Sequence, residues 1–232
     1  MATKQIISLG KRYPKLLKEP ILEIGSKVWP GYQNVSPRVI HNNTCDYFGI
    51  DVKDGEGVDN VVDLSSKQLN IEDLGWENKF NTIHLHCVLE HIADIFTFSK
   101  NVEKILRVGG CLFLTVPFSW KIHRIPIDMW RFTPQSIDYL FQKVNFRKED
   151  CYYSSRKMDE LIPVDNGPQE FHLGSKIQKN GKIISFLIKI LRKLKLDKNV
   201  FRERALLLEN NLIMIGQKHN SNQSTFLHSK YF

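Results

Sequence analysis

The sequence predicts a single-domain α/β protein with a mostly parallel sheet, helices on both of its faces and a final antiparallel strand. Short apolar runs alternate with segments of helical periodicity, which indicates strands joined by helices. Such βαβ units favour a parallel sheet that is buried on both faces. The 232 residues are enough to bury one large core, and no internal repeat divides them.

Four apolar runs in the first half of the chain are predicted strands. Each is short and either ends at a polar residue or is followed by a glycine or a polar residue, as buried parallel strands commonly are. The four runs are Ile21–Ile24, Tyr47–Val52, Val58–Leu64 and Phe80–His86.

A helix is predicted next, over Ile95–Val108, because apolar residues recur there at helical spacing. Gly109 and Gly110 are expected to stop it. The run Cys111–Val116, closed by Pro117, is then a fifth strand.

The second half of the chain contains one clear helix start and one clear strand. Thr133 is predicted as an N-cap with Pro134 at the first helical position. The run Asn211–Gly216 reads as the last strand. Residues 1–19 are expected to be a lead-in, residues 20–218 the domain, and the polar segment 219–232 a disordered tail.

Composition favours a protein of a reducing compartment that does not cross a membrane. The four scattered cysteines form no CxxC pair and favour free thiols. No secretory signal is recognisable, and no apolar run approaches the roughly 18 residues of a membrane span. The predicted location is cytoplasmic.

Polar residues follow the predicted strands where parallel sheets bind ligands, at their carboxyl ends. Glu23 and Gly25 end the first strand, Asp51 the second, Asp63 the third and His86 the fourth. A carboxylate after the second strand can accept hydrogen bonds from both hydroxyl groups of a ribose. A carboxylate after the third strand can accept a hydrogen bond from the amino group of adenine. The pattern therefore predicts an adenosine site.

The turn after the first strand, in PILEIGSKVWPGY (residues 20–32), indicates which adenosine compound binds. A dinucleotide site favours G-x-G-x-x-G, so that backbone amides reach a pyrophosphate. Here only Gly25 matches that pattern. S-adenosylmethionine has no phosphate and carries an amino-acid moiety, so it suits this bulkier turn better than NAD does.

Longer segments resemble class I SAM-dependent methyltransferases of the small-molecule, type 11-like family. FNTIHLHCVLEHIADIFTFSKNVEKILRVGGCLFLTVPF (80–118) is similar to that family's central segment, and YFGIDVKDGEGVDNVVDLSS (47–66) to its second and third strands. HRIPIDMWRFTP (123–134) resembles a motif of a subgroup found near glycan-biosynthesis enzymes. The resemblance covers residues 20–218 and implies a Rossmann-like, doubly wound fold.

The resemblance implies a set of cofactor-binding residues in this chain. The turn after the first strand would hold the methionine end, the second strand the ribose, the third the adenine, and the fourth would flank the cofactor. In that order the residues are Glu23, Gly25 and Ser26, then Asp51 and Val52, then Asp63 and Leu64, and finally His86.

Methyl transfer to a hydroxyl also needs a group that removes a proton. His123 is the first candidate base, Asp128 the second and His91 the third. In the loop that contains His123 and Asp128, a packed lid and an acceptor pocket are both open interpretations. A zinc site on His84, His86, Cys87 and His91 is not expected, because no second ligand pair has zinc-like spacing.

The net charge of +8 is concentrated in residues 176–204, which hold ten basic and two acidic residues. Within them, KIISFLIKILRKLKL (182–196) predicts an amphipathic helix of 15 residues. It is expected either to cover the sheet or acceptor site, or to lie peripherally on the anionic inner membrane face. Nucleic acid is disfavoured because aliphatic rather than aromatic residues separate the charges.

Together these patterns and the resemblance predict an enzyme that transfers a methyl group from S-adenosylmethionine to a small-molecule, sugar or lipid-linked glycan acceptor, at a hydroxyl. Two alternatives remain open. One is a non-catalytic, methyltransferase-like binding protein, which the glycine-poor turn suggests. The other is an NAD-dependent oxidoreductase.

Overall fold

A computed structural model describes most of the chain, and the account below is confined to those residues. They are residues 3–29, 36–41, 46–123, 126–155, 158–167, 170–172, 186, 190, 205–207 and 209–220.

Eight strands form one mixed sheet. In chain order they are β1 (Ile21–Ile24), β2 (Tyr47–Asp51), β3 (Asn60–Val61), β4 (Phe80–His86), β5 (Leu106–Ser119), β6 (Val144–Ser155), β7 (Met158–Pro163) and β10 (Asn210–Lys218). Their order across the sheet is β3-β2-β1-β4-β5-β10-β6-β7. The first five are parallel, while β10 runs antiparallel between β5 and β6. Two short strands, β8 (Glu170–His172) and β9 (Ala205–Leu207), pair separately.

Helices lie on both faces of the sheet, as predicted. The helices are α1 (Thr3–Arg12), α2 (Ile95–Ile105) and α3 (Pro134–Leu140). Side chains alternate along β5, so Phe113 packs in one cluster with Leu9 of α1. Leu114 packs in the opposite cluster with Phe98 of α2. The two clusters make the fold doubly wound around a buried central strand pair, β4 and β5.

The predicted elements are largely confirmed, with boundaries that differ. The first and fourth strands have the predicted bounds, and Thr133 caps α3 by accepting from the Ser136 amide at 3.2 Å. The third strand is shorter than predicted, with two residues. The last strand is confirmed and extends to Asn210–Lys218.

The end of α2 corrects the prediction that Gly109 and Gly110 stop the helix. The helix ends at Ile105, and the next residues already belong to β5. Tertiary partners take its last carbonyl groups: the Lys218 ammonium donates to the carbonyl oxygens of Glu103 at 2.7 Å and Leu106 at 2.6 Å. Backbone amides of Asn78 and Lys79 donate to the two carbonyls between them. The helix therefore ends where its carbonyl groups find other donors.

Several elements were not predicted. The expected lead-in contains α1, whose Ile6 and Leu9 are buried, and β6 and β7 extend the sheet beyond β10. Of the predicted helix 182–196, only Phe186 and Ile190 are described; both are helical and exposed. The rest of that helix, and the tail from residue 221, lie outside the described residues. Within the described part of the chain, no helix is long and apolar enough to cross a membrane.

Candidate active site

The strand order reverses between β1 and β4, and the loops that follow these strands meet at the carboxyl edge of the sheet. The Gly25 amide donates to the carbonyl oxygen of Ile50 at 2.8 Å, which joins the turn after β1 to β2. Gly25 has φ of +78°, a conformation that favours glycine. Ser26 is buried, and its hydroxyl has no hydrogen-bond partner among the described residues. In open α/β sheets this reversal point is where ligands bind.

Asp51 stands at the end of β2 beside that turn. Its carboxylate accepts from the Lys27 amide at 3.4 Å and from the Lys53 amide at 3.1 Å. The side chain is partly exposed, and the neighbouring Val52 is more than half exposed. Because the Lys27 contact is long, the carboxylate keeps acceptor capacity, and Asp51 can still accept hydrogen bonds from hydroxyl groups of a ligand.

The side chain of Glu23 is buried and does not face an open cleft. It is 7% exposed, and its Oε2 accepts from the Ser36 hydroxyl and the Tyr47 hydroxyl, both at 2.7 Å. Burial raises the pKa of Glu23 to about 7, although these hydrogen bonds and Arg38 oppose the rise. The structure thus places the predicted methionine-end acid in an internal network.

Asp63 and Leu64 follow β3 and differ in exposure. Asp63 forms a local turn, since its carboxylate accepts from the Ser65 amide at 2.8 Å and hydroxyl at 2.6 Å. The Leu64 side chain is 2% exposed and belongs to the main core. Its carbonyl oxygen accepts from Asn101 at 2.9 Å. Of this predicted adenine pair, only Asp63 is placed at the surface.

His86, at the end of β4, is the last member of a chain of imidazoles. Its Nδ1 lies 2.9 Å from the Thr115 hydroxyl and its Nε2 3.2 Å from Nδ1 of His84. His84 in turn meets His41 at 2.9 Å. Burial lowers the pKa of all three imidazoles, that of His86 to about 3, so these histidines are neutral at pH 7. Since both nitrogens of His86 are used internally, its ring face is what remains for a cofactor.

The loop after β5 is held in place by Asp128. Its carboxylate accepts from the His123 amide at 2.8 Å and lies 3.1 Å from His123 Nδ1. Arg131 pairs with both carboxylate oxygens, at 2.5 and 2.8 Å, and its hydrogen bonds hold the pKa of Asp128 well below its usual range. The same guanidinium donates to the carbonyl oxygens of Trp120 and Lys121. Asp128 therefore orients His123 and closes the loop.

His91 faces His123 across the two loops. It lies in a helical turn after β4 (Leu89–His91), and its Nδ1 contacts the carbonyl oxygen of Ile127. The His91 and His123 rings meet edge to face with centroids 5.1 Å apart. All three candidate proton acceptors, His91, His123 and Asp128, are thus brought together.

Glu90 is the residue that the sequence analysis missed. It is fully buried, and neither carboxylate oxygen has a hydrogen-bond partner among the described residues. Its Oε1 lies 3.8 Å from His91 Nε2 and 3.9 Å from His123 Nε2. Burial raises the pKa of Glu90 to about 8. The sequence signal for Glu90 is an acidic residue among the mostly apolar residues VLEHI (88–92).

The fold is shared with solved structures of methyltransferases, which confirms the predicted α/β fold class. A SAM-dependent methyltransferase from Archaeoglobus fulgidus superposes with a TM-score of 0.52 at 14% identity, covering 93% of this chain and 94% of that one. A Burkholderia thailandensis 1,6-didemethyltoxoflavin-N1-methyltransferase, solved with S-adenosylhomocysteine, has a TM-score of 0.52 at 10% identity, covering 94% and 79%.

The same fold also occurs with a different activity. The [4+2]-cyclase SpnF superposes with a TM-score of 0.54 at 13% identity, covering 94% of this chain and 82% of that one. No family model and no curated protein matches the sequence. The likeness therefore establishes the fold, while the reaction has to be argued from the site.

Proposed function

We propose that this protein transfers a methyl group from S-adenosylmethionine to a hydroxyl of a small-molecule, sugar or lipid-linked glycan acceptor. The observation that carries the proposal is the position of Asp51. Its partly exposed carboxylate ends β2 beside the glycine turn after β1, at the point where the strand order reverses. A ribose bound there would place the rest of the cofactor toward β4.

The cofactor assignment has independent support from the turn itself. It carries Lys27, Val28 and Trp29 where a pyrophosphate would need open backbone, and the Lys27 ammonium lies 5.7 Å from the Trp29 ring centroid. Structures of this fold include complexes with S-adenosylmethionine and S-adenosylhomocysteine. Both observations favour S-adenosylmethionine over NAD.

The reaction is an in-line displacement at a methyl carbon. The acceptor oxygen forms a bond to that carbon while the carbon–sulfur bond breaks, and the sulfur keeps the electron pair as S-adenosylhomocysteine leaves. The hydroxyl proton passes to Nε2 of His123, whose Nδ1–H is held by Asp128. The sulfonium is already an activated leaving group, so catalysis consists mainly of orientation and exclusion of water.

The acceptor would enter over the loop after β5. That loop exposes apolar side chains around His123, including Ile122, Ile127 and Trp130. An amphipathic acceptor such as a sugar on a lipid carrier would match this mixture of apolar and polar groups. A peripheral contact of residues 182–196 with an anionic membrane would bring the protein to such an acceptor, and it stays a prediction.

Calorimetric titration with S-adenosylhomocysteine, the expected product, tests the proposal. The wild type should bind with micromolar affinity, and Asp51→Ala should weaken binding at least tenfold. Asp51→Asn, which keeps one oxygen acceptor, should fall between them. Asp165→Ala removes an exposed carboxylate that pairs with Lys148 and serves as the matched control.

The alternatives give different titrations. A parallel titration uses NAD. Absence of binding to both S-adenosylhomocysteine and NAD would favour a non-catalytic protein, whereas tight binding of NAD alone would favour an oxidoreductase. If Asp51→Ala bound the product as the wild type does, the ribose assignment would be wrong. An acceptor screen on glycans and lipid-linked sugars follows only from a positive titration.

A further inference from the structure

We propose that Glu90, His91 and His123 form a binding site for one divalent transition-metal ion of the zinc type. Each residue offers one ligand atom, and these three atoms all lie within 4.8 Å of one another. The set of two imidazoles and one carboxylate is a donor set that such ions use in proteins, and it leaves coordination positions open.

The two imidazoles are oriented as metal ligands are. The Nδ1 of His91 is engaged by the carbonyl oxygen of Ile127, and the Nδ1 of His123 by the carboxylate of Asp128. In each ring the other nitrogen, Nε2, is therefore left with its lone pair toward Glu90. A carbonyl or carboxylate behind a ligating histidine is the usual second contact that fixes its tautomer.

The Glu90 carboxylate is the independent observation that points to an ion. Its two oxygens are fully buried, and the described residues supply no hydrogen-bond donor to either. A buried polar group without a partner is costly, and a bound cation would offset that cost.

The ligand atoms lie farther apart than in an occupied site and have to move together to hold an ion. Glu90 Oε1 lies 3.8 and 3.9 Å from the two Nε2 atoms. Neighbouring ligands in a tetrahedral zinc site are about 3.4 Å apart, since each bond is about 2.0–2.1 Å. The side chains of His91 and His123 are 17% and 32% exposed, so an ion can enter from solvent.

The consequence for catalysis rests on the proposed function. With an ion bound, Nε2 of His123 is a ligand and no longer accepts a proton. The ion instead would lower the pKa of an acceptor hydroxyl in an open coordination position, and the proton would pass to water. Binding itself is measured without cofactor or acceptor, so failure of one proposal is distinguishable from failure of the other.

Competition titration of Zn²⁺ against a chromophoric chelator tests the site in the purified, chelator-stripped full chain. One equivalent should bind with micromolar or tighter affinity, and Glu90→Gln should lower the affinity at least tenfold. Glu72→Gln makes the same change at an exposed glutamate and should bind as the wild type does. An excess of Mg²⁺ should not compete, because imidazole nitrogens disfavour it.

Co²⁺ supplies a second readout of the same site. The wild type should show the strong visible absorption of a four-coordinate Co²⁺ centre, and Glu90→Gln should lose it. If Glu90→Gln, at a buried residue, prevents folding, His123→Ala at a partly exposed residue tests the site instead and should also lose this absorption. Equal Zn²⁺ affinity in the wild type and both variants, competition by Mg²⁺, or no binding would each overturn the proposal.

Discussion

A Cβ atom added to Gly25 would lie 2.5 Å from Cγ2 of Val88, so the turn after β1 touches the turn after β4. This approach packs the two loops on either side of the strand-order reversal directly against each other. Gly25 also has φ of +78°, which strains any other residue. The glycine that the sequence analysis assigned to cofactor binding is thus required for the loops to meet.

Gly25→Ala should destabilise the protein by more than backbone strain alone. Gly75→Ala is the matched control, because Gly75 has φ of +63° but no atom within 4 Å of its added Cβ. We expect the control to cost about 1 kcal/mol of unfolding free energy, and Gly25→Ala to cost at least about 1 kcal/mol more. Urea denaturation measures both. Adding Val88→Ala should recover part of the difference; equal losses in the two single variants would refute the contact.

Glu23 should make stability depend on pH. Its pKa is about 7 in the folded protein and near 4.5 when unfolded, because burial disfavours the charged form. Between these values the folded state binds more protons, so this contribution to stability is present below pH 4.5 and is lost as pH rises to 7. The slope is roughly 1.4 kcal/mol per pH unit at most.

Glu23→Gln isolates that contribution. The variant cannot titrate at this position, so the difference in unfolding free energy between variant and wild type should shift in favour of the variant from pH 5 to pH 8. Denaturation curves across this range measure it, with Glu72→Gln as an exposed control. Parallel pH profiles for Glu23→Gln and the wild type would contradict a raised pKa.

His123→Ala should lower turnover while leaving cofactor affinity unchanged. Its Nε2 is proposed either to accept the hydroxyl proton or to ligate the ion, and loss of either role should reduce kcat by about a hundredfold or more. Affinity for S-adenosylhomocysteine should stay at the wild-type level. His219→Ala is the control. Turnover at the wild-type rate would remove His123 from the mechanism, whereas chelator-resistant turnover in the wild type would favour the proton-acceptor role.

Lys218→Met should destabilise the fold through the end of α2. The ammonium donates to Asn78, Glu103 and Leu106, at 2.6–2.8 Å, and it is 7% exposed. Its loss leaves buried carbonyl oxygens without a donor, at a cost of about 1–3 kcal/mol. Lys104→Met breaks only an exposed ion pair with Glu72 and should cost less than about 1 kcal/mol. Equal melting temperatures for the two variants would contradict the assignment.

The pattern of short apolar runs predicted the parallel core of the sheet because burial on both faces requires it. β1 and β4 were found with their bounds, and the Thr133 cap was found because a local hydrogen bond defines it. The end of α2 was not predicted correctly, because it depends on Lys218, which is more than a hundred residues away in the chain. Local chemistry is readable from sequence, and long-range hydrogen bonds are not.

The sequence by itself determined the fold class, the edge of the sheet that carries the candidate site, and the acid at the end of β2. Only the tertiary structure decided that Glu23 lies inside a hydrogen-bond network and that Glu90 faces His91 and His123. The position of Glu90 depends on how the loop after β5 packs on the turn after β4, where the Met129 amide donates to the carbonyl oxygen of Glu90. No spacing along the chain encodes that contact, because the two loops become neighbours only when β4 and β5 pair.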